Sequence, residues 1–76
     1  MQELLEYLAK SLVDNPDAVS VKQVEGEKSI ILELSVAPED MGKVIGKQGR
    51  IAKALRSVTK AAAAKQGKKA IIEIVQ

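Results

Sequence analysis

The tetrad Gly46-Lys47-Gln48-Gly49 holds the residues of this chain best suited to gripping a phosphate. Two glycines three positions apart permit backbone angles that other residues resist, and they leave no side chain to hold a sugar–phosphate strand away. Lys47 within the tetrad and Arg50 directly after it add full positive charge. Lys43 and Lys53 lie roughly one helical turn to either side. A helix starting at Gly49 would direct free N–H groups and the positive end of its dipole to the same spot. Such a tetrad also fits a plain turn between two helices. Its surroundings favour the anion: Val44, Ile45 and Ile51 flank it, and residues 41–69 hold nine Lys or Arg and no acid, against three Lys and nine acids in residues 1–40. A net charge of +2 thus conceals a strongly basic segment, the footprint of a polyanionic partner.

Other chemistries lack their residues. The chain has no Cys and no His, so it offers neither a thiolate nucleophile nor an imidazole base or metal ligand. Gly46-Lys47 does not fall at P-loop spacing, and no Ser-containing nucleophile elbow is present. Glu39-Asp40, Asp14 and Asp17 fall at expected helix ends, where capping and the helix dipole account for them. The chain is therefore read as no enzyme, with no cofactor and no metal. Glu3, Glu6 and Lys10 interrupt Met1–Val13, so no signal-peptide h-region is visible, and no apolar run approaches the ~20 residues of a membrane span. A cytoplasmic protein with no membrane partner is expected. Tyr7 is the sole aromatic residue, which removes the stacking platforms of many RNA-binding modules.

The elements that must position the tetrad follow from periodicity. Leu5, Leu8 and Leu12, with Leu4 and Val13 beside them, predict a helix over 3–13, stopped by Asp14-Asn15-Pro16-Asp17. Residues 18–25 and 29–36 read as strands joined by a tight hairpin at 25–28. Val19, Val21 and Val24 slip by one residue, which suggests a bulge near Lys22-Gln23. Ile30, Leu32, Leu34 and Val36 alternate cleanly. A short helix from Pro38 ends at Gly46, and a longer one runs from Gly49 to Gln66, closed by Gly67. On the long helix Ile51, Ala54, Leu55, Val58, Ala61 and Ala62 form the stripe expected to meet the sheet, with Lys53, Arg56 and Lys60 opposite. Ala52, Thr59 and Ala63 form a small-residue flank, read as helix-favouring or as a surface another backbone could approach. A last strand covers 70–75, with Ile71 and Val75 facing outward. The 76 residues suit one α+β domain spanning 1–76, in the order α-β-β-α-α-β, with a three-stranded mixed sheet and three helices on one face. The two-helix connection between the second and third strands is expected to be a right-handed crossover between parallel strands.

Val44-Ile45-Gly46-Lys47-Gln48-Gly49 resembles the VIGxxG signature of KH domains, and the element order resembles their type II, prokaryotic form. Chain length and the stretch from Ala37-Pro38-Glu39-Asp40-Met41-Gly42-Lys43 through Arg56 are similar to the small bacterial KH proteins of the KhpA (YlqC-like) family. The resemblance implies binding of about four nucleotides of single-stranded RNA. The site residues would be Lys43, Ile45, Gly46, Lys47, Gln48, Gly49, Arg50 and Lys53, and in a KH groove Ile31, Ile45 and Ile51 would be candidates for aliphatic contacts to bases, and equally for the core. It also implies an RNA chaperone or post-transcriptional regulator linked to cell elongation and division. Its expected partners are a larger multidomain KH protein of the KhpB (Jag, EloR) type and a weak homodimer formed through the second and third helices. The alternative is a KH module that acts mainly through protein partners.

Overall fold

The computed structural model describes residues 1–75. Helix α1 (Gln2–Leu12) leads through a short turn at Pro16–Ala18 into β1 (Ser20–Glu25) and β2 (Ser29–Ser35). A turn at Pro38–Asp40 opens α2 (Met41–Ile45). A further turn at Lys47–Gly49 joins α2 to α3 (Arg50–Ala64), and β3 (Lys69–Val75) closes the sheet. Strand order is β1-β2-β3, with β1 antiparallel and β3 parallel to β2. This is the α+β architecture of the sequence reading, with most element ends shifted by one or two residues and α2 starting three residues later than expected, after the turn at Pro38–Asp40.

The core lies between sheet and helices. Leu5 and Ala9 of α1, Val19, Val21, Ile30, Leu32, Leu34, Val36, Ala70 and Ile72 of the sheet region, and Val44, Leu55 and Ala63 of the other helices are buried together. The alternation of β2 carries through: Ile30, Leu32 and Leu34 are fully buried. The bulge expected near Lys22-Gln23 is absent. Pairing runs unbroken from Ser20–Ser35 to Glu25–Ile30, and Val24 instead occupies the outer sheet face. There it stands in register with Ile31, which in turn pairs with Ile71, so the apparent slip is an apolar row across the solvent side.

Helix α3 is turned from its expected orientation by roughly a quarter turn at 100° per residue. Ala52, Leu55, Thr59 and Ala63 are its buried residues, whereas Ala54 and Ala61 are exposed and Val58 is 44% exposed. Small residues win the sheet-facing position because they let α3 come close to β3, which meets it with Ala70. Leu55 lies on both the expected stripe and the buried one, so periodicity alone does not separate them. Thr59 is fully buried and satisfied, its hydroxyl donating to the carbonyls of Leu55 (2.9 Å) and Arg56 (3.1 Å). The flank Ala52, Thr59, Ala63 is therefore core, not a free surface for a second chain.

Burial at this face sets a stability contrast. Ala63→Leu forces extra methylenes into the α3–sheet contact and is expected to cost about 1–3 kcal/mol. Ala61→Gln, on the exposed side, should change stability by less than about 0.5 kcal/mol. Urea denaturation of the two variants checks the orientation of α3.

Candidate nucleic-acid interface

Helix α2 has only five residues, well below the length at which an isolated helix is stable. It holds its shape through contacts at both ends and through Val44, which is fully buried. At its C-terminus the Gly46 N–H donates to the Gly42 carbonyl at 2.8 Å, and Gly46 adopts φ 75°, ψ 176°. A Cβ at Gly46 would lie 2.3 Å from Ile51 Cγ1, 2.9 Å from Ile51 Cβ and 3.0 Å from the Ile51 nitrogen. Glycine is required there on two counts, backbone angle and space. Gly49 differs: φ is 74° and ψ 15°, yet a Cβ would meet nothing within 4 Å. Its glycine serves conformation and leaves the loop surface open.

Between them Gln48 is also left-handed, at φ 58° and ψ 24°. Such angles cost a non-glycine residue about 1–2 kcal/mol, and the turn persists because both of its ends are fixed. Within the turn the Gly49 N–H donates to the Gly46 carbonyl (3.1 Å) and the Arg50 N–H to that of Lys47. Among the described residues no backbone carbonyl accepts from the Lys47 or Gln48 N–H, so both remain free to meet an anion. Lys47, Gln48, Arg50 and Lys53 are exposed around them, and Ile45 is 38% exposed beside the loop. Ile51 instead packs on the core and against Gly46. Ile31 lies on the opposite, outer face of the sheet, away from the loop.

Not every cation of the basic segment is free. Lys43 forms ion pairs with Asp14 and, at 3.6 Å, with Asp40. Its hydrogen bond to Asp14 holds the ammonium pKa above the ordinary lysine value, and attraction to Asp14 and Asp40 adds to that. Lys68 pairs with Glu25, whose carboxyl is held below its ordinary value by that hydrogen bond and charge. Among the described residues, Lys47, Arg50, Lys53, Arg56, Lys60, Lys65 and Lys69 take part in no ion pair.

The altered orientation of α3 has a consequence that the sequence reading missed. Arg56 and Lys60 lie beside β3, where with Lys69, Ala70, Ile71 and Ile72 they line a cleft. Among the described residues strand β3 is an edge of the sheet, and no neighbouring strand takes up the backbone N–H and C=O groups of its outer side. The sequence signal was present in the one-turn spacing of Arg56 and Lys60 and in Lys69 at the head of the following strand, but it depended on which way α3 faces. Asp40 was missed as well. It is only 1% exposed and forms no cap on its own helix. Its carboxylate accepts the N–H groups of Asp14 (3.3 Å) and Asn15 (3.0 Å).

A glycine-bounded turn between two helices, set in the crossover between parallel strands of a mixed three-stranded sheet, defines a type II KH domain, a non-enzymatic RNA-binding fold. The family model of the KhpA/KhpB KH domain matches residues 2–74, and the chain belongs to that family. Over 75 residues it is 69% identical to the RNA-binding protein KhpA of Clostridium acetobutylicum, covering 99% of this chain and 100% of the relative. The RNA-binding protein KhpA of Aquifex aeolicus is 50% identical over 76 residues, 100% of this chain and 96% of the relative. Among solved structures, Aquifex aeolicus Era Y63A bound to GDP.AlF4- shares the fold, with a TM-score of 0.70 and 20% identity over 96% of this chain and 28% of that one. A structure of Era with MgGDPNP and nucleotides 1506-1542 of 16S ribosomal RNA matches at a TM-score of 0.66, also at 20% identity and with the same coverage of both chains. Among the described residues no helix is long and apolar enough to cross a membrane.

The two glycines should respond differently to alanine. Gly49→Ala carries the left-handed penalty alone and is expected to cost about 1–2 kcal/mol. Gly46→Ala adds collision with Ile51 to a backbone region open essentially to glycine only, and should cost about 3 kcal/mol or more. Thermal or urea unfolding of each single variant reads the difference.

Proposed function

We propose that this chain, read as one KH domain over residues 1–76, binds about four nucleotides of single-stranded RNA, with a backbone phosphate seated on the loop Gly46-Lys47-Gln48-Gly49. The observation that carries this is the pair of free N–H groups at Lys47 and Gln48, framed by unpaired Lys47, Arg50 and Lys53. Ile45 supplies aliphatic surface beside the loop. Lys43 contributes to the site indirectly, since its charge is engaged by Asp14 and Asp40. From the loop the strand follows the exposed side of α3 into the cleft at Arg56, Lys60 and Lys69. Relatives named RNA-binding protein KhpA support this reading, as does the ribosomal RNA held in the Era complex. With few base contacts and no aromatic stacking, such a site suits an RNA chaperone or post-transcriptional regulator that acts on many transcripts in the cytoplasm. A link to cell elongation and division, and a pairing with a larger KH protein of the KhpB type, follow from the family resemblance.

A second copy of the chain is the proposed occupant of one further surface. Leu8 and Leu12 of α1 and Ile51, Ala54, Leu55 and Val58 of α3 line an apolar groove on the far side of α3 from the cleft. Joining two four-nucleotide sites would raise apparent affinity through effective concentration, without a new base contact. This replaces the buried Ala52, Thr59, Ala63 flank as the dimer surface. Sedimentation across a concentration series is expected to show weak self-association that Val58→Glu abolishes. A strict monomer at high micromolar concentration would leave the protein-interaction alternative to a heterologous partner.

The RNA reading itself is tested by salt. Neutralising three to five phosphates on a single strand gives log affinity against log salt a slope of about −2 to −3.5. Lys47→Ala with Arg50→Ala should flatten that slope, measured by anisotropy of a labelled single-stranded RNA. An affinity indifferent to salt would contradict the proposed site.

A further inference from the structure

The loop is held at one end by the Gly46–Ile51 contact. Its other support lies at the start of α2, five residues earlier, where Asp40 reaches away from its own helix. The Asp40 carboxylate is almost wholly buried, and it accepts two backbone N–H groups from the connection that follows α1, at Asp14 and Asn15. Lys43, on the next turn of α2, places its ammonium 3.6 Å from the same carboxylate and also pairs with the exposed Asp14. A buried carboxylate keeps its charge only when such donors surround it, and losing one of them is costly. The cluster therefore ties a helix too short to stand alone to the end of α1.

We propose that Asp40, with Lys43 as its counter-ion, is a positioning residue for RNA binding: it fixes α2, and through α2 the angle at which Gly46 enters the phosphate-binding turn. Lys43 then acts as part of this latch and makes no phosphate contact, although it lies in the segment free of acids. The inference rests on the RNA-binding reading above, and its signature is a reversed sign. Removing a negative charge beside a polyanion site by itself tightens binding. Removing a positioning carboxylate weakens binding, because only the fraction of molecules with a correctly set loop can take RNA.

The decisive variant is Asp40→Asn, nearly isosteric, which loses the charge and turns an amide N–H toward one of the two backbone donors. Its affinity for a short mixed-sequence single-stranded RNA is measured by anisotropy across salt, at a temperature where circular dichroism shows it folded. Binding about five- to ten-fold weaker is expected, the factor by which the competent fraction falls, with the salt slope unchanged. Wild-type or tighter binding would overturn the proposal. Lys43→Met leaves both backbone N–H donors on the Asp40 carboxylate and is the second variant where Asp40→Asn does not fold. It should bind about two- to three-fold more weakly at unchanged slope, whereas a slope shallower by about 0.7, or unchanged affinity, would overturn the latch. Amide hydrogen exchange in the free protein at Gly46 and Gly49, whose N–H groups donate to the Gly42 and Gly46 carbonyls, separates the latch from the RNA reading. Faster exchange in either variant supports the latch even if the wild-type protein binds no RNA, and unchanged exchange in both overturns it whatever the RNA does.

Discussion

The reversal between α2 and α3 depends on how closely Gly46 lies to Ile51. The chain turns within three residues, and the space a Cβ would fill at Gly46 is already taken by the Ile51 side chain. That contact joins the loop to the core, because Ile51 packs on the same cluster that buries Val44 and Leu55. The strain at Gln48 is tolerated because both sides of the turn are fixed in this way. Free N–H groups at Lys47 and Gln48 follow from the same geometry, since a regular helix running through these residues would have consumed them. An anion site thus arises from a packing constraint, with the cations added around it.

Charge is distributed by a second rule. The acids of residues 1–40 and the bases of 41–69 are separate in sequence, but the fold returns three acids to the basic half: Asp14 and Asp40 to Lys43, and Glu25 to Lys68. Both groups hold connections in place. Lys68 ties the hairpin end of the sheet to the entry of β3, close to where the Lys69 N–H donates to the Lys28 carbonyl. Of the remaining bases, Lys47, Arg50 and Lys53 stand exposed at the loop and the first turn of α3, and Arg56, Lys60 and Lys69 line the cleft at the edge of β3. A polyanion therefore meets those lysines and arginines whose charge the fold does not use internally, and its affinity should follow their number.

Much of this was legible in the residues. The element order, the parallel crossover and the clean alternation of β2 follow from local periodicity, and the tetrad announced itself through glycine spacing and the lack of acids around it. What was not legible depended on distances between elements. Leu55 lies on both the expected and the buried face of α3, and only packing against β3 decides between them, so the cleft at Arg56, Lys60 and Lys69 could not be placed. Val24 broke an alternation because it completes a row with Ile31 and Ile71 across strands, a relation absent from its own segment. Gly46 and Gly49 are the same letter, yet one is required by a neighbour five residues away and the other by its own backbone angle. Asp40 read as an ordinary helix-end acid because its partners lie twenty-five and twenty-six residues earlier.

The central claim is that the turn between α2 and α3 is where RNA is held. Nuclear magnetic resonance of the backbone amides during titration with a short single-stranded RNA addresses it directly. The account predicts the largest shifts at the Lys47, Gln48 and Gly49 amides, continuing along α3 to Arg56 and Lys60 and onto Lys69 and Ala70. Shifts confined to α1 and the β1–β2 hairpin, with the Lys47 and Gln48 amides unmoved at saturation, would contradict it.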